Sequence, residues 1–482
     1  MQFTTSRRQF LLASASLGSL AVLNACAPKA EPTAVPEAPA EEPKQEEPTV
    51  APAESVKLQM MWRTNPDEQA MTDEIVAAFH EKNPGIEMEV MVSPWDEFEP
   101  KLMANYAGGI APDVLGTGGT NPYVERYYRK MVLELDPYTD KEADLIKSLW
   151  PVGINSFTIN GKLIAFTFGM LNAGTFINAT RFEEAGVELP PASWEDDSWT
   201  WDALIAKAKD LTLDTDSDGK IDRFGFNAGH SSAWTYTRLW GGDIVSQEDY
   251  DAGIMHKMNT DVQANYDALV GGLQARADVV YKHEVGPDPA TSSALNQMGS
   301  PLKTGSIAMD FTGGWALWGE LPEDFKFAAA PNPLGGPNGS GTRVNNTWCE
   351  PLQICSQTEN PAEAWEFVKF YVNDEDSLAS QLHWRTMIPA KMEQLDTYVA
   401  SMTPKLSGMT PEDVTVYFEG ALAAAQTTVP CHILSGWAAG RDAMHAALDP
   451  VWSGDKDAAE VVDQMIDDMN AKFEENIKAL GL

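Results

Sequence analysis

At 482 residues the chain is longer than one hydrophobic core accommodates, so more than one domain is expected. Its 34 basic residues face 71 acidic ones, a formal charge of −37, and such a field repels phosphate backbones and anionic head groups, which argues against a nucleic-acid partner. Apolar content is ordinary at 43%, but fifteen tryptophans are many, and indoles stack on flat ligand faces as well as filling cores.

Residues 1–26 read as an export signal. Arg7 and Arg8 give it a charged start, and the apolar run 10–23 is shorter than a membrane span requires. The run ends in Leu23-Asn24-Ala25-Cys26, which resembles a bacterial lipoprotein signal in which Cys26 is acylated and becomes the new N-terminus. Asn24 is a less usual residue there. The string Ser6-Arg7-Arg8-Gln9-Phe10-Leu11 also resembles the twin-arginine signal, whose alternative is an ordinary charged start. Residues 27–55 are mostly Pro, Ala and Glu, too poor in large apolar side chains to fold, and read as a disordered tether.

Folded sequence begins at Val56. Residues 56–62 read as a strand; Asn65-Pro66-Asp67-Glu68 opens a helix, and Met71, Ile75 and Phe79 line one face of it until Asn83-Pro84-Gly85. Ile86, Met88, Val90 and Val92 alternate as a half-buried strand, so the unit is βαβ and a parallel sheet follows. A helix over 95–106 leads into a strand after Pro112-Asp113.

Residues 161–190 are the stretch around which the rest is arranged. Leu163 to Phe168 and Thr175 to Ile177 read as two short buried strands, separated by Gly169, Asn172 and Gly174, where the chain can hinge. A helical turn closed by Gly186 follows, and Pro190-Pro191 stops it. The segment is expected to carry the chain from one lobe to another beside a cleft. Further on, Asp214, Asp216, Asp218 and Asp222, with Gly219 and the Lys220 carbonyl, have the spacing of a calcium loop. Gly225 stands where the bidentate glutamate belongs. A structural Ca²⁺ is expected, against an ion-free Asx-rich turn.

The strings AAFHEKNPGIEMEV and KLMANYAGGIAPDV, then GKLIAFTF, INATRFEEAGVELPP, LWGGDIV, KTGSIAMDFTGGW and NPAEAWEFVKFYV, follow one another in an order that resembles family 1 of the extracellular solute-binding proteins of ABC importers, the maltose-binding-protein-like sugar binders. This resemblance implies an α/β, two-lobe periplasmic-binding-protein-like fold of type II with discontinuous lobes and hinge crossings. The N-terminal lobe would take 56–169 plus about 348–389, and the C-terminal lobe 170–347 plus about 390–482. It implies a monomer that is not an enzyme, with no cofactor beyond the Ca²⁺, delivering a mono- or oligosaccharide to a membrane permease with a cytoplasmic ATPase. The apolar positions 462, 466, 469, 473 and 477 independently give the last helix one long stripe.

Carried over by motif, the ligand residues are Trp62 and Arg63 at the first strand's exit, Thr117 between Gly116 and Gly118, Phe168 and Asn172 at the hinge, and Ser232 and Trp234 beyond the acidic loop. Trp315, Trp348, Trp437 and Arg441 complete the set. Against each tryptophan stands a core role, which is assigned outright to Trp199, Trp201 and Trp365; Arg63 and Arg441 could equally be salt-bridge formers. Two other classes remain as rivals: a binder of a non-sugar such as glycerol phosphate, which needs a basic cleft, and a surface glycosidase, for which no carboxylate pair stands out. The string Gly229-His230-Ser231-Ser232-Ala233 lacks the last glycine of a nucleophile elbow, and HExxH, P-loop and CxxC motifs are missing. Cys349 and Cys355 are too far apart on one strand to bridge; a bond from Cys431 to either competes with three free thiols.

Overall fold

The structure, a computed structural model, describes residues 55–63, 66–116, 123–229, 233–425 and 428–482. The expectations for Cys26, the tether, Asn65, Thr117 and Ser232 lie outside the described residues. The strands are β1 Val56–Arg63, β2 Ile86–Ser93, β3 Val114–Leu115, β4 Thr158–Ile159, β5 Lys162–Leu163, β6 Phe166–Asn178, β7 Phe224–Asn227, β8 Ile307–Gly313, β9 Phe327–Ala330, β10 Asn346–Ile354 and β11 Ile388–Pro389. Among the described residues one sheet runs β2-β1-β3-β10-β6-β8-β7, with β9 and β11 also on β6, and β4-β5 form a separate ribbon.

The opening βαβ unit forms as its periodicity requires. Between β1 and β2 runs the helix Pro66–Lys82, whose Met71, Ile75 and Phe79 are buried, Phe79 meeting Phe367 and Phe370 edge to face. β1 pairs in parallel with β2 on one side and β3 on the other, so Met60, Met61 and Trp62 are all buried, whereas edge strand β2 alternates from Ile86 to Val90 and leaves Val92, expected on the inner face, exposed. In the last helix, Val462–Leu480, the stripe is realised by Val462, Met465, Met469 and Phe473.

The central segment departs from expectation in one respect. The two short strands are one thirteen-residue strand, β6, buried at every position. Its first half pairs with β10 and its second half with β8 and β9, all antiparallel, and β11 joins at Gly169 and Met170. The glycines serve close packing instead of hinge angles: a Cβ on Gly174 would lie 2.5 Å from Tyr417 Oη and 2.9 Å from the Ala330 carbonyl. After β6 the helix Ala179–Ala185 ends at Gly186 in the left-handed conformation, φ 65°, as the sequence predicts. Cys349, Cys355 and Cys431 are free, and burial pushes each thiol up to about 12.

Candidate functional site

The strand registers locate the site. β1 and β3 run alongside β6 in its own direction, and their carboxyl ends stop level with the stretch Ala165 to Thr167. β8, antiparallel to β6, and its parallel partner β7 approach from the other side, with Gly313 opposite Ala173. Two sets of parallel-strand carboxyl ends therefore flank the stretch from Thr167 to Ala173, where Trp348, Cys349 and Glu350 of β10 pair with Leu171, Met170 and Gly169. Ligands of open α/β sheets bind where such ends meet.

On the β8 side, Trp315 and Trp348 meet edge to face, centroids 5.0 Å apart at 90°, and both are half-buried. Trp315 lies across Gly313 so closely that a Cβ there would be 2.1 Å from the ring. These two indoles, placed together, form an aromatic corner with accessible surface.

On the β1 side the charged groups are already matched. Arg63 pairs with Glu68 and stands 3.7 Å from Glu350, and its guanidinium covers Trp95 at 5.2 Å. Glu68 also pairs with Arg385, which stacks on Trp318 at 3.7 Å. Glu68, Glu350 and Arg385 are buried, so acid and base alternate through one chain of charges.

The other expected residues are mostly internal. Trp62 is buried between Phe168, 5.7 Å away, and Tyr371, 5.8 Å away, flat on Gly116, and its Nε1 has no partner among the described residues. Asn172 donates to Tyr417 Oη at 2.8 Å. Trp234 donates to Tyr250 Oη at 2.8 Å beneath the Arg238 guanidinium, and Arg238 is held by Asp243 at 3.5 Å. Trp437 is buried; Arg441 stands 3.3 Å from Asp442, and its buried Nε lacks a partner among the described residues. Nearby His432 donates from Nδ1 to the Cys349 carbonyl at 3.1 Å, and burial lowers its pKa to about 3, so it is neutral.

Two cavities bear on the assignment. One of about 440 Å³ is walled by Trp315, Thr312, Asp310 and Asn227 at the ends of β7 and β8. Another of about 1140 Å³ lies between the helix Glu375–Trp384 and Lys391–Lys405, and none of the expected ligand residues lines it. Strand termini and indole faces converge at the first and not at the second, so we place the site at the first. Sequence reasoning missed Asp310 and Asn227; a lone acid inside the apolar run of β8 was the available signal.

The acidic loop is only partly assembled. Asp214, Asp216 and Asp218 bring carboxylate oxygens within 4.8 Å of one another. Asp222 instead accepts from the Thr215 hydroxyl and from the Thr215 amide at 2.7 Å, which hold its carboxyl below the usual range, and Lys220 donates its amide to Asp218 at 2.8 Å. Gly225 lies in β7 against the Ala208 backbone, where a Cβ would be 1.9 Å from the Ala208 carbonyl oxygen.

A fold in which parallel-strand ends converge from both sides on two crossing strands is that of the two-lobe periplasmic binding proteins. The chain belongs to the bacterial extracellular solute-binding protein family, whose model matches residues 64–377. It is similar to the ABC substrate-binding protein of Listeria monocytogenes solved in complex with cycloalternan: 21% identity, TM-score 0.68, covering 87% of this chain and 100% of that one. It is also similar to maltose-bound MalE3 of T. maritima, at 20% identity and TM-score 0.65, over 87% of this chain and 100% of the other. A protein of Brucella abortus strain 2308 that carries the name of a binding protein is 23% identical over 337 residues, 68% of this chain and 74% of its own.

Proposed function

We propose that the protein captures a neutral carbohydrate between the converging strand ends and hands it to an ABC permease. The carrying observation is the Trp315–Trp348 corner beside a polar cavity. Sugars offer flat C–H faces to indoles and hydroxyl rims to polar partners, and this corner supplies the first beside the second. The bound sugars in the similar solved structures support the same class of solute.

The charge pattern weighs against glycerol phosphate. Arg63 and Arg385 are matched by Glu68 and Glu350, and Arg238 by Asp243, so at the arginines an anion would have to displace existing partners; Lys303, which lines the cavity, donates to the Trp318 and Glu320 carbonyls. A glycosidase gains no support either, since Glu68 and Glu350 are each held by arginine. In our reading β6, β10 and the segment near β11 are the crossings between a lobe of 56–169 plus about 348–389 and a lobe of the rest. Solute touching both lobes biases the pair toward closure. Lipidated Cys26 and the tether would present a monomer to the permease at the outer face of the cell membrane. Asp214, Asp216 and Asp218 would hold Ca²⁺, the Lys220 carbonyl adding a ligand and Asp222 turning inward from Thr215; calorimetry after chelation tests this, and no heat on adding Ca²⁺ ends it.

The function is tested by a thermal-shift screen against neutral saccharides and glycerol phosphate. A concentration-dependent rise in melting temperature with saccharides alone is expected; stabilisation by glycerol phosphate alone would reverse the assignment.

A further inference from the structure

Asp310 is the one acid in strand β8, where it stands opposite Asn227 of the parallel strand β7. Asn227 Nδ2 donates to Asp310 Oδ1 at 3.1 Å, and Asn227 Oδ1 accepts the Gly229 amide at 3.1 Å. With both ends of the amide engaged, the carboxyl is fixed in orientation. Its second oxygen, Oδ2, has no hydrogen-bond partner among the described residues, and the group borders the 440 Å³ cavity that Thr312, Trp315, Ser292 and Asn296 also wall.

The ionisable groups around it are committed elsewhere. Lys303 donates to the Trp318 carbonyl and to the Glu320 carbonyl at 3.2 Å, Arg276 to the Gly229 carbonyl at 3.2 Å, and Tyr236 to the Ala228 carbonyl at 2.9 Å. Burial accordingly pushes the Asp310 carboxyl up to about 7, with Asn227 drawing it back only in part. Among the described residues no donor but Asn227 reaches this carboxyl, although Ser292, Ser300, Lys303 and Thr312 line the same cavity. An anionic solute would worsen that deficit, and a polyhydroxylated neutral one would relieve it.

Resting on the carbohydrate reading above, we propose that Asp310, held by Asn227, is a specificity-determining acceptor for one sugar unit, taking a hydroxyl on Oδ2 while Trp315 packs the unit's C–H face. An ionised carboxylate accepts a hydroxyl more strongly than the protonated acid, so capture is linked to loss of one proton.

The test is isothermal titration of the full-length protein with neutral saccharides that include maltose, mannobiose and cycloalternan, at pH 6 and 8 and in two buffers of different ionisation enthalpy. Wild type is expected to bind about tenfold more weakly at pH 6 than at pH 8, releasing close to one proton at pH 6. Asp310→Asn is expected to bind about 10- to 100-fold more weakly at pH 8, with no pH dependence and no proton release. Equal affinity and equal pH profiles for the two proteins would overturn the subsite while leaving carbohydrate capture intact. No binding of any saccharide by wild type would overturn both. If the variant does not fold, wild-type proton release decides alone: its absence at pH 6 sinks the proposal.

Discussion

Tryptophan counts alone do not make a sugar site; what each indole does with its edge and its N–H decides. Trp234 spends its N–H on Tyr250 under a guanidinium, so its work is internal. Trp315 and Trp348 keep accessible faces at a right angle. Replacing Trp348 with Ala is therefore expected to weaken saccharide binding about tenfold or more, read by titration calorimetry, whereas Trp234→Ala should chiefly lower the melting temperature. Asp310 gives a second residue-level outcome in the ligand-free protein. Its folded pKa lies above the unfolded one, about 7 against 3.8, so the native state holds the extra proton in that window. Stability from this group is thus full below pH 4 and declines as pH rises to 7. Asp310→Asn removes the decline: relative to wild type, the variant should gain stability from pH 4 to pH 7, by at most about 4 kcal/mol, in denaturant titrations at several pH values. A gap that does not change with pH would mean that the carboxyl is better solvated than the cavity implies.

At the scale of elements, β6 shows what periodicity can and cannot tell. The strand and its burial were legible from the apolar run and from the capped helix after it. Its continuity was not, because a glycine chosen for close approach looks in sequence like one chosen for backbone freedom. Tyr417, which fills the space above Gly174, lies 243 positions downstream. The two meanings predict opposite results. Gly174→Val should cost about 1–3 kcal/mol by overpacking Tyr417 and the Ala330 carbonyl, measured by urea unfolding. A neutral or stabilising effect would restore the hinge reading. The same limit applies to the site: Trp62 and Trp315 looked alike in sequence, and only the neighbours supplied by Phe168, Tyr371 and Gly116 set the first apart as packing. Arg63 was rightly suspected of pairing, but its partners Glu68 and Glu350, and Arg385 behind them, come from three separate segments that no local motif joins.

For the whole molecule, that chain of charges carries a mechanical consequence. Glu68 opens the first long helix, Glu350 lies on β10, and Arg385 precedes β11, so one buried network ties the β1 strand end to the two strands proposed above as crossings. Removing the central acid leaves two guanidinium groups without their shared partner in a buried setting, a loss of about 3–5 kcal/mol. If the network only supports the fold, Glu68→Gln should destabilise ligand-free and ligand-bound protein equally. If it also sets how readily the lobes approach, the variant should change saccharide affinity as well, because the free energy of closure is included in the observed binding constant. We expect the second outcome. Small-angle scattering with and without saturating saccharide should show wild type contracting on binding, and Glu68→Gln with a different ligand-free radius and a shifted affinity. Equal radii and equal affinity, with only the melting temperature lowered, would confine the network to a structural role.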